Sequence, residues 1–368
     1  MLKEIKLFTT EKEYVVCHIC AHECKIREDK FGICHAKKNI KGVLYDTNYG
    51  IVVAQSNDRI EKKPLFHFLP GSFSYSVASP GCNFRCNGCL NAGISQVYKD
   101  ENYKLYLDKI NSIQETMPDK IIERALRVGA KSISYTYTEP AVFFEYSLDT
   151  MEKALREGLK NVFVTNGYLT DMSINILKNY IDAANIDIKF FNDRSYRKMC
   201  GGTLSPVLNT IEKMFSFGIH IELTTTIIEG HNDSEEELRN LAKYIAQVSK
   251  DIPWHVLRFI PYYKMKDIKE TDLSSIKRAY EIGKTHGLNY VYTGNLGEGE
   301  HINTVCPSCE NTVVERIGLF PKDIKITPEG SCGFCGYRIY GAFNNNNEFS
   351  DVLRSNFLGY SDYNFVKP

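Results

Sequence analysis

Short runs of β-branched and aromatic residues alternate with longer amphipathic runs from residue 75 onward. The short runs read SYSVA, KSISYTYTEP, NVFVTNGY, ANIDIKFF, IHIELTTTII, WHVLRFIP and NYVYTG. This alternation is typical of successive βα units, whose strands lie side by side in a parallel sheet. The seven runs therefore predict an α/β fold, a partial (β/α) barrel of the TIM type with right-handed crossovers.

Local signals predict where the helices between these strands begin and end. Pro118 and Gly129 bound one helix, whose apolar residues share a single face. Thr170 is expected to cap the start of another helix, and Ser234 with Glu237 form the capping-box pair that opens a third.

The segments on either side of the alternating pattern differ from it in composition. We therefore expect an N-terminal cysteine-rich metal-binding module at 1–72, the barrel at 73–300, a zinc-ribbon-like module at 301–345, and a polar and aromatic tail at 346–368.

Two stretches of the N-terminal module carry local predictions. The stretch VLYDTNYGIVVAQS predicts a small hairpin. The run EKKPLFHFLPGS leads into the first barrel strand, and its apolar residues Leu65, Phe66 and Phe68 are expected to pack against the barrel.

Charge and hydropathy bear on the possible partners. The 368 residues include 45 acidic and 45 basic ones, so no general attraction to nucleic acid or anionic membrane is expected. A local basic groove would still allow a nucleic-acid partner. The sequence contains no apolar run long enough to span a bilayer, and its N-terminus lacks the pattern of a secretory signal. We expect a cytoplasmic protein without a membrane partner.

Eleven of the twelve cysteines fall into three close-spaced groups, and Cys200 stands apart. Clustered thiols in a reducing compartment indicate metal binding rather than disulfides. The central group, Cys82, Cys86 and Cys89, has the spacing C-x3-C-x2-C. Three thiolates can hold a four-iron cluster and leave one iron open, whereas zinc usually takes four protein ligands in two close pairs. The spacing predicts a [4Fe–4S] cluster, against a three-cysteine zinc site or a group of buried thiols.

The two outer groups each supply four thiols. The N-terminal group could hold zinc or an auxiliary iron–sulfur cluster, and its spacing does not distinguish them. It consists of Cys17, Cys20, Cys24 and Cys34. The C-terminal group forms two C-x2-C knuckles, which indicates a structural zinc ion or a rubredoxin-like iron. It consists of Cys306, Cys309, Cys332 and Cys335.

Polar residues also stand where the predicted strands end. In a parallel barrel the working residues lie at the carboxyl ends of the strands, because the βα loops meet there. The polar residues at these ends, from the second strand to the sixth, are Glu139, Thr165, Asn166, Asp187, Lys189 and Tyr263. Lys189 is notable because it interrupts an otherwise apolar run.

These motifs together resemble the radical S-adenosylmethionine (SAM) superfamily, whose cysteine triple follows the first barrel strand. YTEP is similar to the motif that holds the SAM amino group, which implies that role for Glu139. TNGY and DIKFF resemble the ribose and carboxylate contacts of the activating enzymes of glycyl-radical enzymes such as pyruvate formate-lyase, carried here by Asn166, Asp187 and Lys189. From Cys17 to Tyr340, the order of motifs is similar to the radical SAM enzymes of the AmmeMemoRadiSam system.

The resemblance implies reductive cleavage of SAM at the [4Fe–4S] cluster to a 5′-deoxyadenosyl radical, which abstracts a hydrogen atom from a substrate. It implies flavodoxin or ferredoxin as electron donor. We expect a protein or peptide substrate, as for an activase, with RNA or a small molecule as the alternative. A hypothesis of another class is a non-catalytic iron–sulfur and zinc electron carrier or scaffold, which would not bind SAM.

Three residues depart from the family pattern or stay open. Gly88 stands where these enzymes usually carry an aromatic residue against the adenine, so Phe84, Tyr137 or a residue of the sixth strand would have to replace it. Tyr263 stands where the activating enzymes often have a histidine. Cys200 is either a buried loop thiol or a thiol near the active site, since Gly201 and Gly202 beside it allow close backbone approach.

Overall fold

The computed structural model describes residues 1–296 and 301–343, so the predicted tail at 346–368 lies outside the described residues. An eight-stranded sheet forms the centre of the fold. Its seven parallel strands confirm the prediction of a partial barrel. They are β8 (Phe73–Ala78), β9 (Ser132–Tyr135), β10 (Lys160–Thr165), β11 (Ala183–Asp187), β12 (His220–Ile227), β13 (Trp254–Arg258) and β14 (Val291–Gly294).

The eighth strand, β7 (Ala54–Arg59), pairs antiparallel with β8 at the edge of the sheet. The predicted hairpin within VLYDTNYGIVVAQS is therefore wrong. Its first half forms β6 (Val43–Asp46), which pairs with β5 (Lys37–Ile40), while its second half enters β7. The long backbone pairing with β8 supplies hydrogen bonds that the short hairpin would not have provided.

The helices cover the connections between parallel strands. They are α1 (Ala92–Ser95), α2 (Leu107–Asn111), α3 (Pro118–Arg127), α4 (Phe144–Arg156), α5 (Asp171–Leu177), α6 (Asp193–Ser195), α7 (Ser205–Ser216), α8 (Glu235–Val248) and α9 (Leu273–Thr285). The predicted caps are confirmed at Thr170, which accepts from Ser173 N, and at Ser234, which accepts from Glu237 N. The carboxylate of Glu237 accepts from Phe191 N and Asn192 instead, so the capping box is only half formed.

The N-terminal cysteines lie on two small antiparallel sheets and their loops. One sheet contains β1 (Lys3–Glu4), β6 and β5, and the other contains β2 (Phe8–Thr10), β3 (Tyr14–Cys17) and β4 (Lys25–Arg27). Apolar residues of both sheets belong to the same buried cluster as the barrel core. The C-terminal cysteines flank a three-stranded antiparallel ribbon of β15 (Thr304–Val305), β16 (Thr312–Ile317) and β17 (Phe320–Ile324).

The segment at 60–71 packs across the amino end of the barrel, and Glu222 of β12 holds it there. The buried Glu222 carboxylate accepts from the backbone N–H groups of Phe66 at 3.0 Å and His67 at 2.7 Å. It also contacts the ring nitrogens of His220 at 3.0 Å and His255 at 2.6 Å. Four partners satisfy a buried carboxylate that would otherwise be costly to desolvate.

The apolar residues of this segment confirm the packing predicted from the sequence. Leu65 and Phe68 are buried against Val162 and Ala183 of the barrel, and the Phe66 ring meets Tyr292 of β14. This packing covers the amino end of the barrel.

Candidate functional site

The carboxyl ends of the parallel strands surround a cavity of about 380 Å³, a volume that suits one small-molecule ligand. Eight of the residues predicted for the central site border it. They are Cys82, Cys86, Cys89, Glu139, Thr165, Asn166, Asp187 and Lys189. The ninth, Tyr263, is not among the described residues that line the cavity; it has a φ of 57°, and its hydroxyl donates to Asp100 at 2.5 Å.

The loop that carries the central cysteines is held by backbone contacts with a single π-helical turn, Tyr196–Cys200. The N–H of Arg85 donates to the carbonyl of Cys200 at 2.8 Å, and the N–H of Asn87 donates to that of Met199 at 3.0 Å. A Cβ at Gly202 would stand 2.4 Å from the Phe84 ring. Glycine is therefore required for this close approach, and the loop has a fixed position beside the cavity.

The three central thiols suit a multi-iron cluster. Burial raises the pKa of Cys82 and of Cys89, so these thiols need positive charge nearby to become thiolates. In the part of the chain that the structure describes, the four C-terminal cysteines form a compact set, whose sulfurs all lie within 4.8 Å of one another. The central three are more widely spaced, as expected when several irons lie between the sulfurs. The residues present fit a [4Fe–4S] cluster.

Cys200 lies beside the central thiols. Its side chain is 2% exposed, and the proximity of this thiol, followed by burial, raises the pKa of Cys86. The Lys189 ammonium is also close enough to both thiols to act on them electrostatically. Of the two interpretations of Cys200, the structure therefore favours the thiol near the candidate active site.

The Glu139 carboxylate lies on the cavity wall with fixed orientation. One oxygen accepts from the Thr165 hydroxyl at 2.8 Å and from Ala141 N at 3.2 Å, and the other accepts from Asn166 N at 2.8 Å. Burial raises the pKa of Glu139 to about 7, and these hydrogen bonds limit the rise. The carboxylate is thus prepared to receive a cationic group.

Asp187 and Lys189 form an ion pair on the neighbouring part of the wall. The Lys189 ammonium donates to Asp187 at 2.8 Å, and the side chains are about one third exposed. The Lys189 backbone N–H donates to the Tyr196 hydroxyl at 3.1 Å, and its carbonyl accepts from Asn232 at 2.9 Å. These contacts fix the backbone while the paired charges stay accessible from the cavity.

Phe259 lies next to Gly88, where an aromatic residue was expected from the family pattern. A Cβ on Gly88 would stand 3.0 Å from the Phe259 ring and 3.3 Å from the Met265 sulfur. Phe259 follows β13, is 2% exposed and borders the cavity. Phe84, Tyr137 and a residue of the sixth strand were the candidates for the aromatic contact with the adenine, and this geometry favours the sixth strand. The sequence could not identify Phe259 because the contact depends on how the barrel curves.

Sequence reasoning missed a buried charged group at the inner end of the cavity. Lys63 is 2% exposed and lines the cavity, and its ammonium donates to Asp58 at 2.8 Å. The Tyr137 hydroxyl donates to the same Asp58 carboxylate at 2.6 Å. The sequence shows two adjacent lysines, Lys62 and Lys63, before an apolar run. Such lysines are usually exposed to solvent, so the pair did not indicate a buried charge.

The C-terminal cysteines have the geometry of a single-ion site. Their sulfurs all lie within 4.8 Å of one another, with Cys306 to Cys335 and Cys309 to Cys332 both at 3.7 Å. Four bonds of about 2.3 Å around a tetrahedral zinc place the sulfurs about 3.8 Å apart. The site therefore fits one zinc or iron ion bound by four thiolates.

The four N-terminal cysteines line a second, smaller cavity beside the cysteine loop. Asn83 of that loop borders it as well, while the adjacent Cys82 borders the central cavity. Burial raises the pKa of Cys17 to about 12 and also raises that of Cys24. These thiols, like the central ones, need a positively charged partner to ionise.

Comparison with known proteins agrees with this geometry. The family model of the radical SAM superfamily matches residues 76–244. An uncharacterized protein of Methanocaldococcus jannaschii is 39% identical over 327 residues, which cover 88% of this chain and 95% of that protein. This chain belongs to the radical SAM superfamily. Superfamily members use SAM and a [4Fe–4S] cluster, as the resemblance implied.

Two further relatives have named activities. The GTP 3′,8-cyclase of Clostridium perfringens is 25% identical, over 71% of this chain and 79% of the cyclase. The pyruvate formate-lyase-activating enzyme of Clostridium pasteurianum is 23% identical, over 54% of this chain and 84% of that enzyme. The relation of this radical SAM protein to the activating enzymes is therefore distant. In the part of the chain that the structure describes, no helix is long and apolar enough to cross a membrane.

Proposed function

We propose that this radical SAM enzyme binds and cleaves SAM in the central cavity and abstracts a hydrogen atom from a protein or peptide substrate. The observation that carries the proposal is the convergence of the cysteine triple with a buried carboxylate and an accessible ion pair around one cavity. An electron carrier or scaffold would have no need of such an enclosed and polar binding site.

The cluster would be held by Cys82, Cys86 and Cys89, whose thiols border the cavity. When bound and reduced, it supplies the electron that cleaves SAM into methionine and a 5′-deoxyadenosyl radical, which removes the substrate hydrogen. The electron comes from a low-potential donor of the flavodoxin or ferredoxin type. The covered amino end of the barrel and the buried walls exclude water, which protects reactive species from side reactions.

The chain's own polar groups would orient SAM. The Glu139 carboxylate accepts hydrogen bonds from the SAM ammonium, and Thr165 and Asn166 keep that carboxylate aimed at the cavity. Lys189 pairs with the SAM carboxylate, and Asn166 contacts the ribose. The Phe259 ring, which lies next to Gly88, packs against the adenine.

Cavity size and the character of its rim support a polypeptide substrate. A ligand as large as SAM occupies most of about 380 Å³, so the substrate reaches the site from the mouth. Leu90 and Ile260 line the cavity and are 51% and 40% exposed, which gives the mouth an apolar rim. An extended peptide segment can enter such an opening while the rest of its protein stays outside.

Anaerobic turnover tests both parts of the proposal. The reduced, reconstituted protein should convert SAM to methionine and 5′-deoxyadenosine, and a Cys82/Cys86/Cys89→Ala triple variant should form neither. Adding protein, RNA and small-molecule fractions from cells grown in heavy water should place deuterium in 5′-deoxyadenosine only with the protein fraction. Deuterium from the RNA or metabolite fraction would contradict the substrate class, and an intact cluster without SAM binding would contradict the enzyme.

A further inference from the structure

The N-terminal cysteine cavity differs from both the central site and the C-terminal site. Its four thiols come from the end of β3, the turn after it, the residue before β4 and the loop before β5. The cavity is also lined by the apolar side chains of Ile19, Ile26, Ala141 and Val142. Ile33 at its outer wall is 43% exposed, so the cavity lies between the surface and the cysteine loop.

From these contacts we propose that Cys17, Cys20, Cys24 and Cys34 bind a second iron–sulfur cluster, directly against the loop that holds the first. This site goes beyond the proposed function and does not depend on SAM cleavage. Four thiolates are the usual ligand set of both two-iron and four-iron clusters.

The spacing of the thiols argues against a single zinc ion. Within the described residues, the sulfurs of the C-terminal four all lie within 4.8 Å of one another, whereas those of the N-terminal four are spaced more widely around a small cavity. A lone tetrahedral ion would draw the sulfurs to about 3.8 Å of one another. Several irons with bridging sulfides fill the wider space.

The surrounding side chains leave the four thiols as the available ligands. His18 contacts Thr9 and Glu23 through its two ring nitrogens, at 3.0 Å each. His22 contacts the carbonyl of Asn83 at 3.1 Å. Among the described residues that line the cavity, none is a histidine or an acid.

A compensating positive charge must come from the metal. The one cationic side chain among the described lining residues is Lys37, which is 2% exposed. Its ammonium is bound to both Asp46 and Glu145 at 3.0 Å. With two carboxylates already on this ammonium, the four thiolates would remain uncompensated without a bound metal.

Asn83 connects the two sites. It borders the N-terminal cavity, and its side-chain oxygen accepts from Asn166 of the central site at 2.7 Å. Its Nδ2 is buried and has no hydrogen-bond partner among the described residues. Asn83 is 2% exposed. A buried amide donor without a partner is suited to donate a hydrogen bond to a sulfide of the cluster. The backbone N–H of Ile33 already donates to the Cys24 sulfur at 3.5 Å, as is common for cluster thiolates.

Acid-labile sulfide is the decisive readout, because a zinc or rubredoxin-type iron site contains none. The full-length Cys82/Cys86/Cys89→Ala variant is reconstituted anaerobically with iron and sulfide, then assayed for sulfide, iron and zinc. We expect sulfide to remain in this variant and to disappear when Cys17→Ser and Cys20→Ser are added. The electron paramagnetic resonance spectrum of the reduced triple variant should show a cluster signal.

Two results would overturn the proposal. One is a folded triple variant that contains no sulfide, and the other is sulfide that survives the added Cys17 and Cys20 substitutions. Retention of the C-terminal metal and a native circular dichroism spectrum report folding. If the combined variant fails to fold, the sulfide content of the triple variant decides alone. SAM binding by the wild-type protein is measured separately, so failure of the proposed function is distinguishable.

Discussion

The Glu139 carboxylate accepts a hydrogen bond from the Thr165 hydroxyl at 2.8 Å, across two adjacent strand ends of the barrel. Asn166 N binds the second carboxylate oxygen at the same distance. Glu139, which is predicted to bind the SAM amino group, is therefore oriented by Thr165 and Asn166, which are also predicted to bind SAM. The contacts also explain why Glu139 can be buried and still reach the ionised state near neutral pH.

Binding of SAM should depend on pH through Glu139. Its pKa of about 7 is raised above the ordinary value of 4.5 by burial, so the ionised form that pairs with ammonium becomes scarce at pH 6. We expect SAM affinity to increase about eightfold from pH 6 to pH 7.5, following the ionised fraction. Glu139→Gln should remove this dependence and weaken binding at pH 7.5 by about ten- to a hundredfold.

Isothermal titration calorimetry with SAM at both pH values measures this effect. Glu157→Gln, at an exposed position, is the matched control and should behave like the wild type. Equal pH dependence in Glu139→Gln would contradict the assignment of Glu139.

Replacing Phe259 should weaken adenine binding. Loss of a stacked aromatic ring costs about 1–3 kcal/mol per base, so Phe259→Ala should weaken 5′-deoxyadenosine binding by about 5- to 150-fold. Methionine binding should not change, because methionine has no adenine. Phe334→Ala, an exposed phenylalanine on the C-terminal module, is the control. Equal losses for 5′-deoxyadenosine and methionine would point to general disruption instead.

Cys200 should adjust the reduction potential of the first cluster. Cys200 lies close to Cys86 and would be able to donate to its sulfur once Cys86 binds the cluster as a thiolate. Hydrogen bonds to cluster sulfurs stabilise the reduced state and so raise the potential. Removing about 1 kcal/mol of hydrogen bonding in Cys200→Ala should lower the midpoint potential by about 40 mV. Cys200→Ser keeps a donor and should restore most of it. If a redox titration shows unchanged potentials in both variants, Cys200 is a buried loop thiol without influence on the cluster.

Glu222 should contribute stability that disappears in acid. Burial alone would raise its pKa, but the hydrogen bonds from His220 and His255 hold it well below the ordinary value of 4.5. A group with a lowered pKa stabilises the fold above its unfolded pKa, and this stability is lost as the pH falls below about 4.5. Glu222→Gln should lower the unfolding free energy at pH 7 by about 3–5 kcal/mol and flatten the acid dependence.

Urea unfolding between pH 3.5 and pH 7 checks this prediction. The exposed Glu236→Gln serves as control and should change stability by less than about 0.5 kcal/mol. If Glu222→Gln matches that control at pH 7, the carboxylate does not hold the 60–71 segment as described.

The sequence predicted the features that depend on local pattern. Most parallel strands lie in runs rich in β-branched or aromatic residues, and the caps at Thr170 and Ser234 are short motifs, so both could be found without tertiary information. The edge strand β7 was missed because its sequence, AQSNDR, is polar. Its stability comes from pairing with β8, which no local pattern reports.

The candidate site was predicted where residues follow strand ends, and missed where loops fold back. Tyr263 follows the sixth strand, yet its positive φ and its bond to Asp100 turn it away from the cavity. Phe259 and Lys63 reach the cavity through barrel curvature and the 60–71 segment. Such contacts arise from three-dimensional packing, so the spacing of residues along the chain gave no sign of them.

The most direct test of the central claim is the effect of SAM on the spectrum of the reduced cluster. Electron paramagnetic resonance is recorded on the reduced, reconstituted protein before and after SAM is added. The variant Cys17→Ser/Cys20→Ser removes any signal from the N-terminal site. We predict that SAM changes the signal, because SAM held by Glu139 and Lys189 would lie against the cluster that Cys82, Cys86 and Cys89 would hold in the same cavity. An intact cluster whose signal is identical with saturating SAM would contradict the account.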